Sequence, residues 1–296
     1  MKTYINKAVL LILLMIFWKN SFAQNVNSGV IFHIQSSHTS FPDTGRTNGH
    51  TYDKVLYTAA EHYHDSTVLI IAPKNLDAKK TVDLVFWFHG WRNSVDNAAS
   101  YYELTKQFIA SKKNAVLVLA ETAKDSPDSY GGKLENPGVF KGLTQDVLNG
   151  LKGQHLIPKG CKAGHILLAG HSGAYRVMAR IIKNGQMPID EVILFDALYA
   201  ETPIFLDWIK ADNTHRFIDL YTDHGGTDEE THNMVKLIAQ EHIPYLESEE
   251  GNINFQSILD NRLIFIHSLH EHNNVINNPD NFRLFLENSA FLKSLE

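Results

Sequence analysis

A single serine stands among small residues in the stretch "HILLAGHSGAYRVMARII", where an apolar run passes directly into a helical pattern. Gly170 and Gly173 flank Ser172, and Ala174 follows. Small neighbours allow a serine hydroxyl to project from a strained strand-to-helix turn, and the amides that open the helix favour negative charge nearby. The pattern predicts a nucleophilic hydroxyl at Ser172, with a helix N-cap serine as the structural alternative.

A serine nucleophile needs a base, and the base needs an acid that fixes its tautomer. Asp196 follows the apolar run "EVILF", and Asp223 follows "FIDLYT". The last apolar run is followed by His270 and His272. Because the carboxyl ends of parallel strands meet at one edge of a sheet, we expect these side chains near Ser172. Asp196 interrupts an apolar run, and a buried carboxylate without a partner is costly, which favours it over Asp223 as the acid.

The elements that must position these residues alternate between strand and helix patterns. Short apolar runs rich in β-branched and aromatic residues predict six buried parallel strands, at 83–90, 114–121, 165–172, 191–198, 216–223 and 262–269. A further strand is expected at 66–73, on the outside of the sheet and paired antiparallel with 30–35. Helical patterns occupy 97–113, 142–153, 173–185, 202–212, 228–242 and 278–295. The alternation predicts one α/β domain over 24–296, a doubly wound, mostly parallel sheet with helices on both faces.

The motif "GHSGA" resembles the nucleophile elbow of the α/β-hydrolase superfamily, and the chain order Ser, Asp, His is similar as well. The resemblance covers roughly 66–296, and it departs from the commonest motif only in placing Ala174 where glycine is usual. It implies that the backbone amides of Trp91, after "FHG", and of Gly173 would hold an oxyanion. The superfamily places its base just before the last helix in a His-x-x-apolar setting, which "HNNV" fits, so the resemblance favours His272 over His270.

The superfamily usually places its acid after the strand that here ends near Asp223, and the position of Asp196 is a known alternative. The resemblance therefore implies a serine hydrolase that cleaves an ester, or an amide, through an acyl-enzyme on Ser172. It requires no cofactor and no metal. The connection 199–215 is short, so no large lid domain is expected.

The same residues are compatible with other functions. A non-catalytic α/β-hydrolase-like binding protein could use the same cleft, and a serine peptidase or amidase would use the same residues. A metal-dependent hydrolase built on "HYHD" (62–65) and "HEH" (270–272) is disfavoured because no third ligand follows at a recognisable spacing. Cys161, the single cysteine, excludes an intramolecular disulfide.

The first 23 residues have the features of a signal peptide, which would make the protein exported, either secreted or periplasmic. Basic residues precede an apolar stretch, and small residues at Ser21 and Ala23 predict cleavage before Gln24. The net charge of −6 argues against a nucleic-acid partner, and no membrane span is expected after cleavage. We expect a small-molecule or glycan-linked ester as substrate. The polar loops 36–54 and 122–140 would shape its pocket, with Tyr130, Trp91 and Tyr199 as walls.

Overall fold

The computed structural model describes residues 24–26 and 29–295, so the expected signal peptide at 1–23 lies outside the described residues. In chain order the strands are β1 (Gln24–Val26), β2 (Gly29–Gln35), β3 (His50–Tyr52), β4 (Val55–Tyr57), β5 (Thr67–Pro73), β6 (Thr81–Phe88), β7 (Ala115–Ala120), β8 (Lys162–His171), β9 (Glu191–Phe195), β10 (Arg216–Thr222), β11 (Leu246–Glu249) and β12 (Leu263–Ser268). The helices are α1 (Ala59–His62), α2 (Val95–Tyr101), α3 (Leu104–Ala110), α4 (Val139–Gly153), α5 (Tyr175–Asn184), α6 (Thr202–Ala211), α7 (Asp228–Gln240), α8 (Phe255–Asp260) and α9 (Asn281–Glu287).

Ten of these strands form one sheet, in the order β1-β2-β5-β7-β6-β8-β9-β10-β12-β11. The strands from β7 to β11 in this order pair in parallel. On the other side, β5 pairs antiparallel with β7 and β2 antiparallel with β5. The predicted antiparallel partnership of 66–73 with 30–35 is therefore confirmed, although β2 and β1 lie outside β5. The remaining strands, β3 and β4, form a separate hairpin.

The sheet is covered on both faces, as its continuous apolar strands require. On β6 the side chains of Leu84 and Phe86 enter one buried core, and those of Val85 and Trp87 enter the other. The first core is closed by α4, α5, α6 and α7, and the second by α2, α3, α8 and α9. This arrangement confirms the predicted doubly wound α/β fold. Between β9 and β10 the chain forms only α6 and short turns, so no lid domain is inserted there.

The prediction of one continuous helix over 97–113 is wrong, because two helices, α2 and α3, lie there with an interruption between them. Glu103 adopts a left-handed backbone conformation with φ 51°, and the ring of Tyr102 turns into the core. The side chain of Gln107 donates a hydrogen bond of 2.9 Å to the carbonyl oxygen of Tyr102. This bond satisfies a backbone acceptor that the break would otherwise leave unpaired.

The predicted helix 278–295 is wrong at both ends, since only Asn281–Glu287 is helical. A proline disfavours helical geometry at the residue before it, so α9 begins only after Pro279. After the helix the chain runs beside 112–114, where Leu295 N donates to Lys112 O at 2.7 Å. Sequence patterns also gave no sign of the half-exposed edge strand β11 or of the short helix α8.

Candidate active site

Ser172 occupies a sharp turn between β8 and α5. Its φ of 56° lies in the left-handed region, which costs a residue with a side chain on the order of 1–3 kcal/mol. A single 3₁₀ turn, Ser172–Ala174, joins the strand to the helix. The serine therefore stands where the strand ends and the first amides of a helix begin, as the sequence pattern predicted.

The loop after β6 lies directly against this turn because its contact residues are glycines. A Cβ atom placed on Gly90 would lie 2.6 Å from Ser172 Cβ, which no ordinary packing allows. A Cβ atom on Gly173 would lie 2.6 Å from Trp91 Cδ1. The two segments whose amides were expected to hold an oxyanion, at Trp91 and Gly173, are thus in direct contact beside Ser172.

His272 and Asp196 form a hydrogen bond of 2.6 Å between Nδ1 and Oδ2. Asp196 is fully buried immediately after β9, with a left-handed φ of 46°. It also accepts a hydrogen bond of 2.8 Å from the Thr222 hydroxyl and another from the Thr227 hydroxyl. Burial opposes ionisation of this carboxyl, but the hydrogen bonds from His272, Thr227 and Thr222 outweigh it and hold the pKa of Asp196 below its ordinary value.

Asp223, the other expected acid, contacts a different histidine. Its Oδ1 lies 2.8 Å from Nε2 of His267, and Nδ1 of the same ring lies 2.9 Å from Glu249 Oε2. Burial opposes protonation of His267, but the two carboxylates outweigh it and raise its pKa. His270, the alternative base, has Nε2 3.7 Å from Glu250 Oε2. The structure thus brings Asp196 to His272, and it brings neither Asp223 nor His270 into that pair.

A buried ion pair that the sequence reasoning missed supports the loop after β6. His89 Nε2 lies 2.6 Å from Glu121 Oε1, and His89 Nδ1 lies 2.8 Å from the carbonyl oxygen of Gly90. Nδ1 faces a carbonyl oxygen and Nε2 faces a carboxylate, and both favour a ring that carries two protons. Burial opposes this charge, but Glu121 outweighs it and raises the pKa of His89. The available signal was Glu121 at the end of the apolar run 114–121, since a carboxylate there must find a partner.

A cavity of about 170 Å³ opens at Ser172. It is lined by Trp91, Ser129, Ser172, Gly173, Tyr175 and Tyr199. Trp91 and Tyr199 were expected as walls, whereas Ser129 and Tyr175 were not. The indole N–H of Trp91 donates to Ser129 Oγ at 2.7 Å, and burial raises the pKa of Tyr199 to about 12, so its phenol stays protonated.

Tyr130, the third expected wall, lies in an adjoining network that joins the two long loops. The guanidinium groups of Arg46 and Arg176 both lie over its ring, with their Cζ atoms 4.6 Å and 5.2 Å from the ring centroid. Arg46 also binds both carboxylate oxygens of Asp128, at 2.6 Å and 3.0 Å. The expected loops 36–54 and 122–140 are therefore tied to each other beside the cavity by two-point hydrogen bonding.

The histidine-rich stretches considered as metal ligands have other contacts. His62 Nδ1 lies 2.8 Å from the carbonyl oxygen of Lys124, and Asp65 accepts a 2.6 Å bond from Lys124 Nζ. Across 24–26 and 29–295, no three His, Cys, Asp or Glu side chains are grouped so that they could hold a metal ion. The same part of the chain contains no helix with the length and apolar character needed to cross a membrane.

No protein family model and no curated protein matches this sequence. Solved structures do match it. FphF, a fluorophosphonate-binding serine hydrolase of Staphylococcus aureus with substrate bound, aligns with a TM-score of 0.53 and 9% identity over 88% of this chain and 99% of that one. The feruloyl esterase module of Clostridium thermocellum, a mutant in complex with sinapinate, aligns with a TM-score of 0.55 and 11% identity over 94% of this chain and 93% of that one. The chain therefore has the α/β-hydrolase fold, as the sequence motifs predicted.

Proposed function

We propose that this protein is a serine hydrolase that cleaves an ester through an acyl-enzyme on Ser172. The observation that carries the proposal is the 2.6 Å bond between His272 and a fully buried Asp196, at the sheet edge where Ser172 stands on its strained turn. Neighbours of the same fold that are serine hydrolases and esterases support the same kind of function.

In this mechanism Asp196 stays ionised and holds the proton of His272 on Nδ1, which leaves Nε2 to act as the base. Nε2 takes the hydroxyl proton of Ser172 as Oγ attacks the ester carbonyl carbon. The carbonyl oxygen gains the electron pair, and the amides of Trp91 and Gly173 bind it.

Collapse of the tetrahedral intermediate breaks the bond to the alcohol, which leaves with the proton from His272. Water then attacks the acyl-enzyme, gives its proton to His272, and releases the acid and Ser172. Each proton taken by His272 is returned within the same half-reaction, so no cofactor or metal is needed to balance the step.

The size of the cavity argues for a small group beside Ser172. Its volume of about 170 Å³ is below the roughly 300 Å³ at which drug-sized ligand pockets begin. Aromatic rings of Trp91, Tyr175 and Tyr199 line it, so the group bound there is apolar and compact. We propose a short acyl chain in this cavity, with the alcohol portion, small or glycan-linked, extending toward the loops 36–54 and 122–140.

Export is the second part of the proposal, and it is supported by the sequence of residues 1–23 alone. Expression of the full chain in a bacterial host, followed by mass measurement of the exported product, tests it. A mature protein that begins at Gln24 is expected, and retention of residues 1–23 on the recovered protein would contradict cleavage at this site.

Reaction of the protein with a fluorophosphonate probe tests the enzymatic part. We expect the wild type to be labelled and Ser172→Ala to remain unlabelled, with Ser129→Ala as the matched control that keeps the nucleophile. A folded wild type that neither reacts with the probe nor turns over short acyl esters would favour a non-catalytic binding protein. Turnover of amides or peptides in preference to esters would favour a peptidase or amidase.

A further inference from the structure

His171, the residue before the candidate nucleophile, has no role in the chemistry described above. It is buried at the end of β8, with 3% of its surface exposed. Its ring nevertheless packs against the ring of His272, with 4.4 Å between centroids and 37° between planes. The elbow therefore presents one histidine to the ring of the proposed base.

Hydrogen bonds define the protonation state of His171. Its Nε2 lies 2.9 Å from the carbonyl oxygen of His272, and since a carbonyl only accepts, Nε2 carries the proton. Burial, and then the electrostatic effect of the neighbouring His272, lower the pKa of His171 to about 3. The ring is therefore neutral at working pH, with Nδ1 left as an acceptor.

Tyr102, which lies between α2 and α3, contacts the other ring nitrogen of His171. Its hydroxyl lies 3.1 Å from Nδ1 of His171 and 3.3 Å from Oδ1 of Asn273. Tyr102 is itself buried, and burial raises the pKa of its phenol, so the hydroxyl keeps its proton. The hydroxyl has one proton, which these two acceptors share, and its donation to the nearer Nδ1 reinforces the tautomer in which His171 donates from Nε2.

The segment that carries His272 depends on such contacts because it has no regular structure of its own. Between the end of β12 at Ser268 and the start of α9 at Asn281 the chain forms only turns, and Leu269 is 81% exposed. The last helix was expected from 278 and begins only at Asn281, so turns and side-chain bonds hold the backbone of His272.

We propose that His171 is a positioning residue, which fixes the imidazole of His272 by donating to its backbone carbonyl and packing against its ring, with Tyr102 holding His171 in the donating tautomer. The inference rests on the proposed serine hydrolase function. It gives a role to the histidine inside "GHSGA". The turn that carries the nucleophile also carries the residue that positions the base, so the same rigid turn fixes both groups.

Three variants test this inference. His171→Phe keeps a ring against His272 but removes the donor. His171→Gln keeps a donor near the position of Nε2 but removes the ring, and Tyr102→Phe removes only the hydroxyl. Tyr101→Phe is the matched control, because Tyr101 is the neighbouring tyrosine and its side chain is exposed.

The readouts are the steady-state constants for 4-nitrophenyl acetate and the downfield proton resonance of the bond between His272 Nδ1 and Asp196. A base displaced by about 1 Å loses about 10²-fold in rate, so His171→Phe should lower kcat by that order with KM nearly unchanged. The resonance should weaken or move in the same variant. His171→Gln and Tyr102→Phe should lose less of kcat. Tyr101→Phe should match the wild type in both readouts.

Wild-type kcat and an unchanged resonance in folded His171→Phe or Tyr102→Phe would overturn the inference. A loss of thermal stability without either change would reveal a packing role only, and would overturn it equally. If the wild type has no hydrolase activity, the proposed function fails, but the resonance still reports whether His171 holds His272 against Asp196.

Discussion

Asp196 Oδ2 and His272 Nδ1 lie 2.6 Å apart although 76 residues separate them in the chain. The left-handed backbone at Asp196 turns its carboxylate out of β9, and the hydroxyls of Thr222 and Thr227 hold it from the side of β10 and α7. The carboxylate is thus ionised, buried and directed at one imidazole, which is the arrangement that an acid of a serine hydrolase needs.

Asp196→Asn should lower kcat by about 10⁴-fold, because the amide cannot stabilise an imidazolium and favours the wrong tautomer of His272. Ester turnover at neutral pH measures this. Asp223→Asn is the matched control, and it should stay close to the wild type because Asp223 contacts His267 instead. A large loss in Asp223→Asn with a small one in Asp196→Asn would reverse the proposed roles.

Much of this site was predictable because it depends on local patterns and on the geometry of parallel sheets. The apolar runs located the strands, and the residues after them located Ser172, Asp196 and His272 at one edge. The choice between Asp196 and Asp223 could not be completed from the chain, because it depends on the left-handed turn at Asp196 and on Thr227 of another segment.

The features that the sequence did not predict depend on contacts between segments that are distant in the chain. Periodicity alone favoured one helix over 97–113, but burial of Tyr102 beside His171 breaks it. The pairing of His89 with Glu121 was missed because the two residues end different strands, which become neighbours only in the sheet.

Gly90→Ala should abolish most of the activity while leaving the fold intact. The added methyl would lie 2.6 Å from Ser172 Cβ and 2.9 Å from the carbonyl oxygen of His171, so either the elbow or the loop that carries Trp91 must move. We expect kcat/KM to fall by about 10²-fold or more, as for loss of an oxyanion donor. Gly153→Ala is the matched control, since in the described part of the chain a Cβ atom there would meet nothing within 4 Å beyond its chain neighbours and its own helix. Equal activities of the two variants would show that the close approach at Gly90 is unimportant.

Glu121→Gln should destabilise the protein because it leaves the buried imidazolium of His89 without its counter-charge. Removing one partner of a buried pair costs about 3–5 kcal/mol. Glu121 raises the pKa of His89, so the pair contributes stability below the ordinary histidine pKa and loses it as pH rises through the raised value. The free energy of unfolding, measured in denaturant, should therefore fall further below that of the wild type at pH 6 than at pH 9. A deficit that grows with pH would contradict an ionised His89.

Asp219→Asn should stabilise the protein at alkaline pH. Asp219 is fully buried on β10, its Oδ2 accepts a 2.7 Å bond from the Thr231 hydroxyl, and its Oδ1 has no hydrogen-bond partner within the described part of the chain. Burial raises the pKa of this carboxyl to about 7, and the charge of Asp196 adds to the effect. The folded protein therefore holds a proton that the unfolded chain releases near pH 4.

The sign of the pH dependence follows from this difference in bound protons. Between about pH 4 and pH 7 the folded state binds one proton more than the unfolded state at Asp219, so its contribution to the free energy of unfolding falls as pH rises and becomes constant above pH 7. The total loss is on the order of 2–4 kcal/mol for a shift of this size. Asparagine resembles the protonated acid and does not titrate, so Asp219→Asn should gain stability over the wild type at pH 8 and little at pH 4. Asp207→Asn, at an exposed position of α6, should show no such gain, and an equal effect of the two substitutions would mean that the pKa of Asp219 is not raised in the folded protein.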